Sequence, residues 1–303
     1  MKLAGKMAII AGSLVMVGAI TVAASSCQVY RNIRNGIDVK QSGEIKKMEY
    51  TTDASGIEEL DVAIISERVD IKTGSSNEIK ITYNDYADDP IYEIVKNQPR
   101  LSFARESTSF EFWNIDDLED IMTNIFCENA IDDNIIIIEV PKNFVAEYDL
   151  SCVSGNISTE GIDAKNMNAA SVSGDLLLKN TDIKGEFAST TVSGEIVMEN
   201  VACEECEIAT TSGEMMISGL KTEKCSASTT SGDVRMKDAS VDKDINVESI
   251  SGEVELELNG SEEDFNVGCE SVSGYVNVKN TDRNAAKTIT ASTVSGDIEI
   301  SFK

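Results

Sequence analysis

Thr191-Val192-Ser193-Gly194-Glu195-Ile196-Val197-Met198 is the stretch on which the fold turns. A near copy closes the chain as Thr293-Val294-Ser295-Gly296-Asp297-Ile298-Glu299-Ile300. The same Ser-Gly pair also stands at Ser154-Gly155, Ser173-Gly174, Ser212-Gly213, Ser231-Gly232, Ser251-Gly252 and Ser273-Gly274. Successive serines are 19, 20, 19, 19, 20, 22 and 22 residues apart. A fixed period near 20 residues is the mark of a stacked repeat.

Aligning the units on the serine gives columns. Six residues before it stand Tyr148, Met167, Phe187, Cys206, Cys225, Ile245, Val267 and Ile289, all apolar. The position just before it is always β-branched, from Val153 to Val294. Three residues after it stand Ile157, Leu176, Ile196, Met215, Val234, Val254, Val276 and Ile298. Apolar and polar positions alternate at period two, which is the strand signal, and the phase changes across Ser-Gly as it would at a corner. Glycine suits a corner because it accepts positive φ. A second corner is expected seven residues after the serine, at Asn180, Asn200, Gly219, Asp238 and Asn280.

One such unit cannot bury its apolar side alone, so units stack and close a common core. The expected fold is all-β: a right-handed parallel β-helix (β-solenoid) of ~20-residue coils. It divides into a short basic tail (1–6), a transmembrane or signal segment (7–24), a linker (25–43), an irregular N-terminal part of the solenoid (44–141) and the regular repeat (142–303). An insertion at 106–133 breaks the irregular part. It carries Phe110, Phe112 and Trp113, candidate partner contacts, and a stretch from Asp116 to Phe126 read as a short helix. Such an insertion either caps the solenoid end or forms a contact surface.

Residues 7–24 are uncharged and mostly apolar, and Lys2 and Lys6 precede them. That pattern marks one N-terminal helix acting as membrane anchor or secretion signal. Cys27 follows Ala24-Ser25-Ser26, which makes it a lipidation candidate. A retained anchor, lipidation of Cys27 and plain cleavage all stay open. Each puts the bulk of the chain outside the cytoplasm, and the first two hold it at the cell membrane, single-pass or lipid-anchored.

Composition excludes more than it assigns. The chain holds 53 acidic and 26 basic residues, a formal net charge of −27. Nucleic acid is a poor partner for that balance, because phosphate contacts need Lys and Arg. Histidine is absent, which removes Ser-His triads and imidazole general bases. Cys203-Glu204-Glu205-Cys206 has CxxC spacing, but without a second pair or a histidine it does not indicate zinc. Cys206 and Cys225 share an apolar column and are read as core packing.

Two residues after each serine lies an acidic column: Asn156, Asp175, Glu195, Glu214, Asp233, Glu253, Tyr275 and Asp297. Stacking would set neighbours ~5 Å apart, where like charges repel unless water or a cation screens them. Asp175, Glu195, Glu214, Asp233 and Glu253 are therefore candidate calcium ligands. The competing reading is a solvated edge that keeps the rod soluble. No coil departs from the repeat as a grafted active site would, so no catalytic residue is named and the chain is read as a non-enzyme.

The units Val172-Ser173-Gly174-Asp175, Thr191 to Ile196 and Thr293 to Ile300 resemble the bacterial putative-adhesin β-strand-repeat family, a domain of unknown function. So does the order of parts: a membrane-targeting N-terminus, strands near Val69 to Tyr83, an Ile-rich strand ending at Val140-Pro141, then Ser-Gly-Asp/Glu coils. The resemblance covers roughly residues 50 to 303. It implies a cell-envelope β-helix that binds a protein or an envelope glycan. As some relatives accompany envelope-stress regulators, it also implies an accessory or regulatory role beside a membrane partner.

Overall fold

A computed structural model describes residues 44–88, 90–105, 134–282 and 284–303. The N-terminal segment 7–24, Cys27, and the insertion with Phe110, Phe112, Trp113 and its expected helix lie outside the described residues. Among those described, no helix is long and apolar enough to cross a membrane. Regular structure among the described residues is β-strand, plus one three-residue 3-10 turn at Glu262–Asp264. The chain is a β-solenoid-like domain.

The alternation read from sequence is the alternation of burial. Tyr148, Met167, Phe187, Cys206, Cys225, Ile245, Val267 and Ile289 are all buried, and so are Ile157, Leu176, Ile196, Met215, Val234, Val254 and Ile298. Each column stacks on itself through parallel pairing, as in Met167 opposite Phe187, Phe187 opposite Cys206, and Cys206 opposite Cys225. Fully burying one such aliphatic side chain contributes about 1.5–3 kcal/mol, so the columns are the main source of stability. The β-branched column just before the serine faces outward instead. Its exposure rises to 49% at Val294 and 82% at Val272 near one end of the stack.

Coils have a third, short side, visible as Asp163-Ala164 pairing with Asp182-Ile183. The corner leading into it is the one expected seven residues after the serine. Asn180, Asn200 and Asp238 take φ of 50°, 54° and 52°, and Gly161 and Gly219 take 65° and 68°. Asn280 departs from this pattern. It turns back onto the terminal strand Phe265–Ser273, where its Oδ1 accepts from Cys269 N–H at 2.6 Å, while Thr281 exchanges bonds with Val267.

The Ser-Gly corner needs glycine for a different reason from the one expected. None of the eight glycines has positive φ. Each backbone instead lies directly on the corner of the coil beneath it. A β-carbon on Gly174, Gly194, Gly213, Gly232 or Gly252 would fall well inside 3.0 Å of the carbonyl oxygen of the glycine below. Close approach, not φ, selects the residue.

Stacking does not follow chain order at either end. Strand Glu59–Ile64, first of its face in sequence, lies between Arg100–Arg105 and Val145–Cys152. Strand Arg68–Thr73 likewise lies between Ile135–Val140 and Ile157–Glu160. At the far end the last repeat is inserted before the seventh, since Ile245 pairs with Ile289 and Ile289 with Val267. The two 22-residue spacings mark this exchange. Antiparallel strands finish the first end: Ile45–Asp53 on Glu78–Tyr86, that strand on Ile135–Val140, and Tyr92–Asn97 on Arg100–Arg105.

Gly213 and Gly268 test the close-approach account within one protein. Gly213→Ala must push a β-carbon into the Gly194 carbonyl and should cost about 3 kcal/mol in urea unfolding. Gly268→Ala meets nothing nearer than 3.9 Å and should change stability by less than ~1 kcal/mol. Equal effects would contradict the account.

Candidate functional site

The corner interrupts the strand ladder, so its N–H groups need other acceptors. Serine N–H groups continue the ladder, as in Ser173 to the Val153 carbonyl at 2.8 Å and Ser193 to that of Val172 at 3.0 Å. In three successive coils the glycine N–H turns to a hydroxyl three residues back: Gly174 donates to Ser171 Oγ at 2.7 Å, Gly194 to Thr191 Oγ1 at 3.1 Å and Gly213 to Thr210 Oγ1 at 2.9 Å. Sequence reasoning passed over this buried hydroxyl column. The signal was present, because Ser or Thr stands two residues before the serine in every unit but the first, which has Cys152.

The acidic column does the same work one step on. Asp175 N–H donates to Asn156 Oδ1 at 3.0 Å, Glu195 N–H to Asp175 Oδ1 at 3.0 Å, Glu253 N–H to Asp233 Oδ1 at 2.9 Å and Tyr275 N–H to Asp297 Oδ1 at 2.7 Å. Short Asp and Asn side chains reach the backbone of the next coil, which explains their place in the column. Glu214 instead pairs with Arg235, whose guanidinium also bonds Asp233 Oδ2 at 2.7 Å. The calcium candidates are thus brought into one ladder, but Asp175 and Asp233 accept backbone N–H groups, and Glu214 and Asp233 pair with Arg235. Among the described residues, no group of three Cys, Asp or Glu side chains is arranged to hold a metal ion.

A second constellation lies at the first end, where sequence reasoning named nothing. Ile65-Ser66-Glu67-Arg68-Val69 occupies the place of Val153-Ser154-Gly155-Asn156-Ile157 one coil away. Glu67 stands at the glycine position, and a β-carbon on Gly155 would meet its carbonyl. On the other side of Glu67, strands Arg100–Arg105 and Ile135–Val140 pair with the two strands that flank it, Glu59–Ile64 and Arg68–Thr73. The Glu67 side chain is buried beside them. Its Oε2 accepts from Ile65 and Ser66 N–H, both at 2.9 Å, and its Oε1 accepts from Tyr92 Oη at 2.8 Å. Arg105 Nη1 lies 3.6 Å from Oε1. Asn134 Nδ2 donates to Tyr92 Oη at 3.0 Å and to the Asn84 carbonyl at 2.9 Å. Burial, then the adjacent Glu67 carboxylate, pushes the Tyr92 phenol far above its ordinary range, so it remains a donor. The alignment of Ser66-Glu67 with Ser-Gly was the available signal.

Two comparisons test these residues. Asp175→Asn keeps the acceptor for Glu195 N–H and should leave the melting temperature unchanged, whereas Asp175→Ala should cost about 1 kcal/mol. Tyr92→Phe leaves Glu67 and Asn134 each short of a partner in a dry site and should cost about 1–3 kcal/mol in urea unfolding. Tyr275→Phe, at a ring 64% exposed, should cost nothing measurable.

Comparison with known proteins agrees with this architecture. A crystal structure described as a "putative adhesin" from Bacteroides fragilis NCTC 9343 is similar at a TM-score of 0.53 and 9% identity, covering 86% of this chain and 98% of that one. A "putative adhesin" from Parabacteroides distasonis ATCC 8503 gives 0.47 and 10%, covering 86% and 99%. A "putative lipid binding protein" from the same strain gives 0.44 and 13%, covering 85% and 98%. At 9% identity the likeness to the first of these is one of fold. No curated protein matches the chain. Residues 57–301 match the family described as Toastrack DUF4097, and the chain belongs to that family.

Proposed function

We propose that the protein is a non-enzymatic, membrane-attached, extracytoplasmic solenoid, coiled right-handedly, that binds through its outer surface. The observation that carries this reading is the placement of the chain ends. Strand Ile45–Asp53, which follows residues 1–43, and the two strand ends that flank 106–133, Arg105 and Ile135, all belong to the same end of the stack. Residues 7–24 then attach that end to the membrane, and the coils run away from it. The interior is filled by buried side chains along the stack, so a ligand meets the outside of the coils. Their outer positions offer polar and acidic residues and a short apolar run, Leu177, Val197 and Met216, on three successive coils. The ligand class we favour is a protein or envelope glycan. The names borne by the solved neighbours support a binding role.

The accessory reading also draws on the shared end. Phe110, Phe112 and Trp113 belong to a segment rooted beside the residues that lead to the membrane segment, where a membrane partner would be in reach. Photo-crosslinkers at Met216 and at Trp113, used in intact cells with mass spectrometry of the products, separate the two. We expect adducts from Met216. Capture of one same-cell membrane protein from Trp113, with none from Met216, would replace surface binding with the accessory role.

A further inference from the structure

Strand Ile196–Thr210 turns a corner at the exposed pair Glu204-Glu205, and the residues on either side of that pair, Cys203 and Cys206, both point inward. On the adjacent coil Cys225 lies in parallel register with Cys206. The Cys206 thiol is a near neighbour of the thiols of Cys203 and Cys225. Three buried thiols thus face the same corner of the core. Core packing accounts for burial of each, but not for their convergence. They form no metal site, since no three such ligands among the described residues are arranged to hold an ion.

We propose that Cys203 and Cys206 form a dithiol–disulfide redox site that reacts with small, uncharged disulfides. Their places in the corner assign the roles. Cys203 is 8% exposed, against 2% for Cys206 and 2% for Cys225, so it is the sulfur that an outside reagent meets first. It also lies 3.7 Å from the Thr222 hydroxyl. Interaction between the two thiols holds Cys203 below the ordinary thiol range and Cys206 well above it, in the order that an attacking and a resolving thiol require.

The exchange balances in two steps. The Cys203 thiolate attacks one sulfur of the external disulfide, breaking its S–S bond and releasing one thiol. Cys206 then attacks the Cys203 sulfur, the mixed disulfide breaks, and the second thiol leaves. The protein gives up two electrons and two protons, and both pass to the released thiols. An uncharged reagent is specified because the chain carries a net charge of −27 and Glu204 and Glu205 flank the entrance. The site does not depend on the membrane placement proposed above, although an oxidising compartment would supply it with disulfides.

The test uses the full chain, reduced, freed of reductant and treated with hydroxyethyl disulfide. It is then alkylated in denaturant, digested and weighed without reduction. We expect Cys203 and Cys206 joined, lighter by two hydrogens and closed to alkylation, with Cys225 alkylated. Cys225→Ser should leave the link intact and Cys203→Ser should abolish it. Full alkylation of both wild-type residues, a mixed disulfide that persists on Cys203, or a Cys206–Cys225 link in wild type would each overturn the proposal. The wild-type masses decide the matter even if a variant fails to fold.

Discussion

A carbonyl oxygen occupies the space that a β-carbon would need at each Ser-Gly corner. That contact fixes how near one coil can lie to the next. Parallel strands must sit about 4.8 Å apart to share a ladder, and a corner that held the coils further apart would open the ladders on both sides of it. Glycine at the corner allows the two long faces to pair over their whole length. The buried columns, the hydroxyl bonds to glycine N–H groups and the Asp and Asn rungs all presuppose that spacing. The apolar columns supply the driving force and the glycines set the pitch.

The ends show what happens where that constraint lapses. Glu67 takes the glycine position beneath the corner of Gly155, and its carboxylate receives two backbone N–H groups and a phenol. A buried carboxylate is costly unless its oxygens are satisfied, so Tyr92, Arg105 and Asn134 belong to the price of ending the regular stack there. At the other end the last two repeats change places, and the outer one is looser, with Val276 and Val278 only half-buried. Asn280 and Thr281 cover part of its free edge, a common device for blunting strand addition.

Much of this was legible in the residues. The inward columns, the strand alternation and the corner at Asn180, Asn200 and Asp238 follow from period and side-chain type, because a stacked repeat presents the same chemistry at the same height in every coil. The role of glycine was misread, since φ is a local property while the carbonyl that excludes a side chain comes from at least 19 residues away. The acidic column was seen as charge, and its division into reaching Asp and outward Glu needed the register. The swapped last repeats left only the longer spacing as a trace. Glu67 was missed because a charged residue in place of an invariant glycine looks like the absence of a repeat.

Amide hydrogen exchange at the corners tests the central claim most directly. If backbone contact there sets the stack, the N–H groups of Ser173, Ser193, Ser212 and Ser231, each bonded to the coil below, should exchange as slowly as those in the middle of the paired strands. Fast exchange at the serines beside protected strands would mean that the corners are loose connectors, and that the coils are held in register by their apolar columns alone.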